Sequence, residues 1–210
     1  MANKTDKNSY TILFAIVMVV IVGSLLAGFA SGLKPRIKAN EKFEKQQNIL
    51  YAMGINNNEG TGDVAFISTD NVAEVFNKYI TKQLVIQGDQ ANENDLAYLI
   101  DVKKESTKAK SGDYQRRLPL FIGQKAGSEL YIMPVRGKGL WDAIWGCVAV
   151  DKEMIIQGVY FDHKGETPGL GAEIKQRYFM DDFVGEQLLE KGAFQGIKVA
   201  KGNNDPKNLI

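Results

Sequence analysis

Residues 163–173, HKGETPGLGAE, hold the densest set of chemically useful side chains and flexible backbone in the chain. Gly165, Gly169 and Gly171 let the main chain approach a ligand closely and adopt positive φ. Glu166 and Thr167 set an acceptor and a hydroxyl among them. Amides at the start of a following helix would favour an anionic or electron-rich group. The same glycines would equally serve a turn that only reverses the chain. A second concentration is RGKGLWDAIWG, residues 136–146, where Gly137 and Gly139 flank Lys138, and Leu140 and Trp141 stand at a strand entrance. An indole and a branched aliphatic beside flexible backbone suit the wall of a planar ring, although Trp141 and Trp145 suit a core equally well.

Composition removes most other chemistry. The 210 residues include one histidine, His163, and one cysteine, Cys147. No site can use two imidazoles, an internal disulfide framework or several thiolates. His163 reads as a hydrogen-bonded structural residue, and Cys147, in an apolar run, as an inert one. With 26 Lys and Arg against 25 Asp and Glu, the chain lacks the basic surplus that nucleic acid demands, so no nucleic-acid partner is expected. GLGAEI, residues 169–174, begins like a dinucleotide fingerprint but has Ile174 at the third glycine position, in an antiparallel setting. No P-loop pattern is present.

The elements that must position these segments follow from periodicity. Short apolar, β-branched or aromatic runs at 118–122, 130–135, 144–150 and 154–161 are separated by glycines and by Asp151-Lys152. Their tight spacing predicts antiparallel meanders, because a parallel crossover needs a dozen or more residues. Helices are expected over 172–179 and 181–190, with a last strand over 197–201. Upstream, Thr69 and Asp70 can cap a helix carrying Val72, Val75, Phe76 and Ile80, and 103–113 reads as exposed and mobile. The fold class is α+β, one domain on a curved antiparallel sheet.

Asn8 to Leu33 contains no acid or base except the Tyr10 phenol, and Thr11 to Ala30 is apolar apart from Thr11, Gly23, Ser24 and Gly28. A helix of about twenty residues spans roughly 30 Å, the thickness of a hydrocarbon core. Signal-peptide apolar regions run only about 7–15 residues, so this segment reads as a retained single span. The expected organisation is a stub at 1–9, a transmembrane helix at 10–33, a juxtamembrane helix at 34–54 ended by Gly54, and the α+β domain at 55–210. Lys34, Arg36, Lys38, Lys42 and Lys45 outnumber Lys4 and Lys7, so positive charge alone favours a cytoplasmic domain.

GKGLWDAIWG followed by FDHKGETPGLGAEI resembles the C subunits of the bacterial Na⁺-translocating NADH:quinone oxidoreductases, and the resemblance covers essentially the whole chain. It implies an FMN-binding-type domain and an electron-transfer subunit within a six-subunit membrane complex that couples NADH oxidation and quinone reduction to sodium export. It also implies an FMN attached to a Thr by a flavin transferase, and a domain on the periplasmic face of the inner membrane, against the charge count. Leu140 and Trp141 would pack near the flavin ring. Glu166, Thr167, Gly169 and Leu170 would surround it, with Thr167 a donor, and Lys201 would serve as a positive partner near the flavin or its phosphate. The family's Ser-Gly-Ala/Gly-Thr attachment motif is not among residues 1–210, so the covalent Thr is expected beyond Ile210. Two alternatives are a ferredoxin-linked flavoprotein of the Rnf type, whose G subunit shares the HxxETPGLG pattern, and a membrane-anchored, non-redox binding module.

Overall fold

A computed structural model describes residues 8–60 and 62–197, in two compact units divided between Glu41 and Lys42. Helix α1 covers Asn8–Ala52, with Pro35 inside it. Every side chain from Asn8 through Glu41 is exposed. By length and composition this helix is long and apolar enough to cross a membrane, and such a helix satisfies its own backbone in lipid.

In the second unit the last turns of α1 are core. Ile49, Leu50 and Met53 are almost fully buried. Gly54, at φ +69°, ends the helix, and the Lys125 Nζ donates to the carbonyls of Met53 (2.8 Å) and Gly54 (3.1 Å). A cation placed there also meets the negative end of the helix dipole. Helix α2 (Val72–Tyr79) buries Val72 and Phe76, and Phe76 meets Phe121 edge-on at 6.3 Å between centroids.

Among the described residues the main sheet is antiparallel, open and six-stranded in the order β2-β1-β3-β4-β5-β6. Its strands are β1 (Ile80–Gln87), β2 (Gln90–Glu93), β3 (Arg117–Lys125), β4 (Ser128–Lys138), β5 (Ala143–Val150) and β6 (Ile156–His163). The four C-terminal strands coincide with the apolar runs. The β1–β2 hairpin was not expected: β1 starts at Ile80, the position read as the end of a helix, because the chain passes from α2 into extended conformation there.

Two further expectations are refined. The polar stretch 103–113 is largely exposed, as expected, but it is not without structure: helix α3 (Val102–Ala109) starts at Asp101, whose carboxylate accepts the amides of Lys103 and Lys104. It buries Glu105 to 2% exposure. That carboxylate is fully used, accepting the Tyr114 hydroxyl (2.6 Å), the Arg117 amide (3.0 Å) and the Arg117 guanidinium (2.8 Å). Nor do 172–190 form two helices. Gly171–Lys175 is a 3₁₀ turn, Gln176 is extended, and α4 occupies only Arg177–Asp181. Gly185, at φ +93°, then lies in a turn, and short strands β7 (Leu189–Glu190) and β8 (Ala193–Phe194) follow. The strand expected over 197–201 falls almost wholly outside the described residues.

Candidate functional site: two loops at one end of the sheet

The site is made by topology. In the β4–β5 hairpin Lys138 pairs with Ala143, so residues 139–142 form its tip. Ile144 pairs with His163 across β5 and β6, so the chain leaving β6 emerges beside that tip. The Gly139 amide bonds the Asp142 carbonyl at 2.8 Å, closing the tip, and the Lys164 amide bonds the Ala143 carbonyl at 3.0 Å, extending the ladder by one rung. An ion pair of 2.9 Å between Lys164 and Asp142 ties the two loops at the surface. The lysine and the Ala143 amide hold the Asp142 carboxyl below the usual carboxylate range.

Glu166 forms the inner tie. Its Oε1 accepts the amides of Trp141 (3.0 Å) and Asp142 (3.2 Å), and the residue is 7% exposed. Those amides, Asp142 foremost, keep its carboxyl below the ordinary range against the opposing effect of burial; the Leu140 amide and His163 add to them. The carboxylate fits because two neighbours lack side chains. A Cβ on Gly139 would collide with Oε1, and one on Gly171 would come within 2.7 Å of Oε2. The glycines therefore admit an acid, a use distinct from admitting a ligand.

His163 braces the same turn, its Nδ1 accepting the Glu166 amide at 3.2 Å. Beyond it the Thr167 carbonyl accepts the amides of Leu170 and Ala172, each at 3.1 Å. Gly169 takes φ +74°, and its amide bonds Glu173 Oε1 at 2.8 Å. Tyr178 holds the other oxygen of Glu173 at 3.0 Å. The Gly169 amide is thus taken by the chain's own carboxylate, and of the amides expected to greet an anionic ligand at the start of the next turn, those of Ala172 and Glu173 bond the Thr167 and Leu170 carbonyls.

On this frame the two loops present apolar side chains outward. Leu140 is 80% exposed, Trp141 69% and Leu170 72%. Large apolar groups left in water on a braced loop mark a binding surface more than a packing requirement. Thr167 is exposed, and among the described residues its hydroxyl engages no partner. The structure thus gathers six of the seven residues named from the sequence, with Glu166 turned inward, while Lys201 lies outside the described residues. Trp145 is half-buried, 5.9 Å from the Arg136 guanidinium, and Cys147 is buried, its thiol pushed up to about 12. The parts that sequence reading missed are Asp142, Lys164 and Glu173, which are ordinary surface residues until the strands set them opposite their partners.

The FMN-binding domain family matches residues 139–208, starting at the hairpin tip. The C subunit of the Na⁺-translocating NADH-quinone reductase of Vibrio anguillarum is 29% identical, over 96% of this chain and 81% of its own length. That of Neisseria meningitidis serogroup B is 28% identical, over 99% and 83%. Among solved structures, the same subunit from Parabacteroides distasonis superposes with a TM-score of 0.70 at 30% identity, covering 85% of this chain and 82% of that one. NqrC from Shewanella oneidensis shares the fold, with a TM-score of 0.64. On that identity and coverage, the chain belongs to the family of C subunits of the Na⁺-translocating NADH-quinone reductases.

Proposed function

We propose that the chain is the flavin-carrying electron-transfer subunit of a Na⁺-translocating NADH:quinone reductase, with FMN seated against the two loops. The observation that carries this reading is the coincidence of the FMN-binding match, beginning at Gly139, with the loop pair whose Leu140, Trp141 and Leu170 stand exposed on a rigid frame. These side chains fit a flavin: broad apolar surface for a ring system, an unengaged hydroxyl at Thr167 and a left-handed backbone at Gly169. When bound, FMN supplies the redox chemistry and the protein tunes it.

The chain's own residues orient and shield. Leu140, Trp141 and Leu170 would shield the ring system from water, Thr167 would donate a hydrogen bond to the flavin, and Lys201 would supply positive charge. Glu166 holds the loop that carries Trp141. No residue is asked to move a proton or act as a nucleophile.

The apolar part of α1, residues 10–33, anchors the chain in the inner membrane, with 34–54 leaving it and 55–210 forming the flavin domain on the periplasmic side. Its partners are the other members of a six-subunit complex and a flavin transferase that joins FMN to a Thr. The relatives named above are quinone-reductase subunits, which favours that complex over a ferredoxin-linked one. The test is a denaturing gel of the protein from native membranes, viewed under ultraviolet light, with its intact mass. A fluorescent band heavier by one FMN supports the reading. A dark band of unmodified mass leaves at most a reversible flavin site and returns the non-redox module to first place.

A further inference from the structure

We propose that Glu166 is a positioning residue, which fixes the exposed Trp141 loop from beneath through that loop's backbone amides and so sets the environment of the flavin; this rests on the flavin reading above. The geometry separates the roles of adjacent residues. Thr167 and Leu170 are exposed, whereas Glu166 is buried with Oε1 committed to the amides of Trp141 and Asp142. Gly139 on one loop and Gly171 on the other lie so close to its carboxylate that neither tolerates a Cβ without displacing it. A hairpin tip of four residues has few bonds of its own; inside this one the Gly139–Asp142 contact is the backbone closure. Two charge-assisted hydrogen bonds from one buried acceptor are therefore a large share of what keeps Trp141 in one place. The residue works across the gap between loops, so it acts on the flavin through Trp141 and not by contact.

The test uses the full chain in detergent and compares Glu166→Ala, Glu166→Gln and Gly171→Ala. Amide hydrogen exchange at Trp141 and Asp142 is expected to rise about tenfold or more in Glu166→Ala, with Val148 and Val159 in the β5–β6 ladder unchanged. Glu166→Gln keeps an acceptor oxygen and is expected to restore protection to within about threefold. Gly171→Ala crowds only Glu166, from the loop opposite Trp141, and loosens the same amides, which keeps the test decisive if Glu166→Ala does not fold. In flavin-loaded full-length protein, Glu166→Ala shifts the flavin visible spectrum and reduction potential in the same direction as Trp141→Ala, and Glu166→Gln reverses most of that shift. Unchanged exchange at Trp141 and Asp142 in both Glu166→Ala and Gly171→Ala overturns the proposal. Loosened amides with an unchanged flavin spectrum and potential also overturn it, leaving Glu166 as a structural brace. Failure of the flavin reading looks different: protein from native membranes carries no flavin, however the loop exchanges.

Discussion

The carbonyl oxygen of Ala52, on the last turn of α1, occupies the place where a Cβ of Gly158 on β6 would stand, with the Ala52 carbonyl carbon 3.3 Å from that position. Helix backbone thus lies directly on strand backbone, a contact that only glycine allows. Gly158→Ala is expected to destabilise the domain by about 1–3 kcal/mol. Urea unfolding of the full chain in detergent checks this, and an unchanged midpoint would contradict the contact.

Glu105 predicts acid sensitivity. The Arg117 guanidinium foremost, then the Tyr114 hydroxyl and the Arg117 amide, lower its carboxyl from 4.5 to about 2. The folded protein binds this proton less readily than the unfolded chain, so protonation favours unfolding. The contribution is complete above pH 4.5 and is lost as pH falls from there toward about 2. Glu105→Gln is expected to cost about 2 kcal/mol at pH 7 and to flatten this part of the stability profile, as thermal melts across pH would show.

Trp141→Ala and Thr167→Ala remove exposed side chains, so each is expected to change stability by less than about 0.5 kcal/mol while altering the flavin's absorbance and reduction potential in full-length protein. Unchanged values in both variants would remove these residues from the cofactor site.

Cys147 is buried, and burial alone pushes its thiol up to about 12. Only the thiolate is nucleophilic, so at pH 7 an alkylating reagent is expected to label it no faster than the domain unfolds. Rapid stoichiometric labelling of the folded chain would show that β5 is open to solvent.

A chain starting at residue 34 is expected to be recovered without detergent. It loses the apolar span, and once Lys4, Lys7 and Asp6 are removed its basic and acidic residues balance. Recovery only in detergent would count against a single membrane segment.

Much of this molecule is written in local pattern. The apolar span of α1 shows in any window of about twenty residues. The strands β3 to β6 announce themselves by β-branched and aromatic runs between glycines, and the two glycine-rich segments carry the family resemblance. Each of these signals lies within one element, where spacing translates directly into a face or a turn. Tertiary structure decided the rest. Glu105 looks like one more charge in a polar stretch until Tyr114 and Arg117 are brought to it. Gln176 and Gly185 interrupt the periodicity expected over 172–190. Glu166 could have faced a ligand, and instead bonds amides from a loop distant in sequence but adjacent across β5 and β6. A carboxylate takes whichever donors the folded backbone offers it, and residue spacing along one chain does not record which loop will supply them.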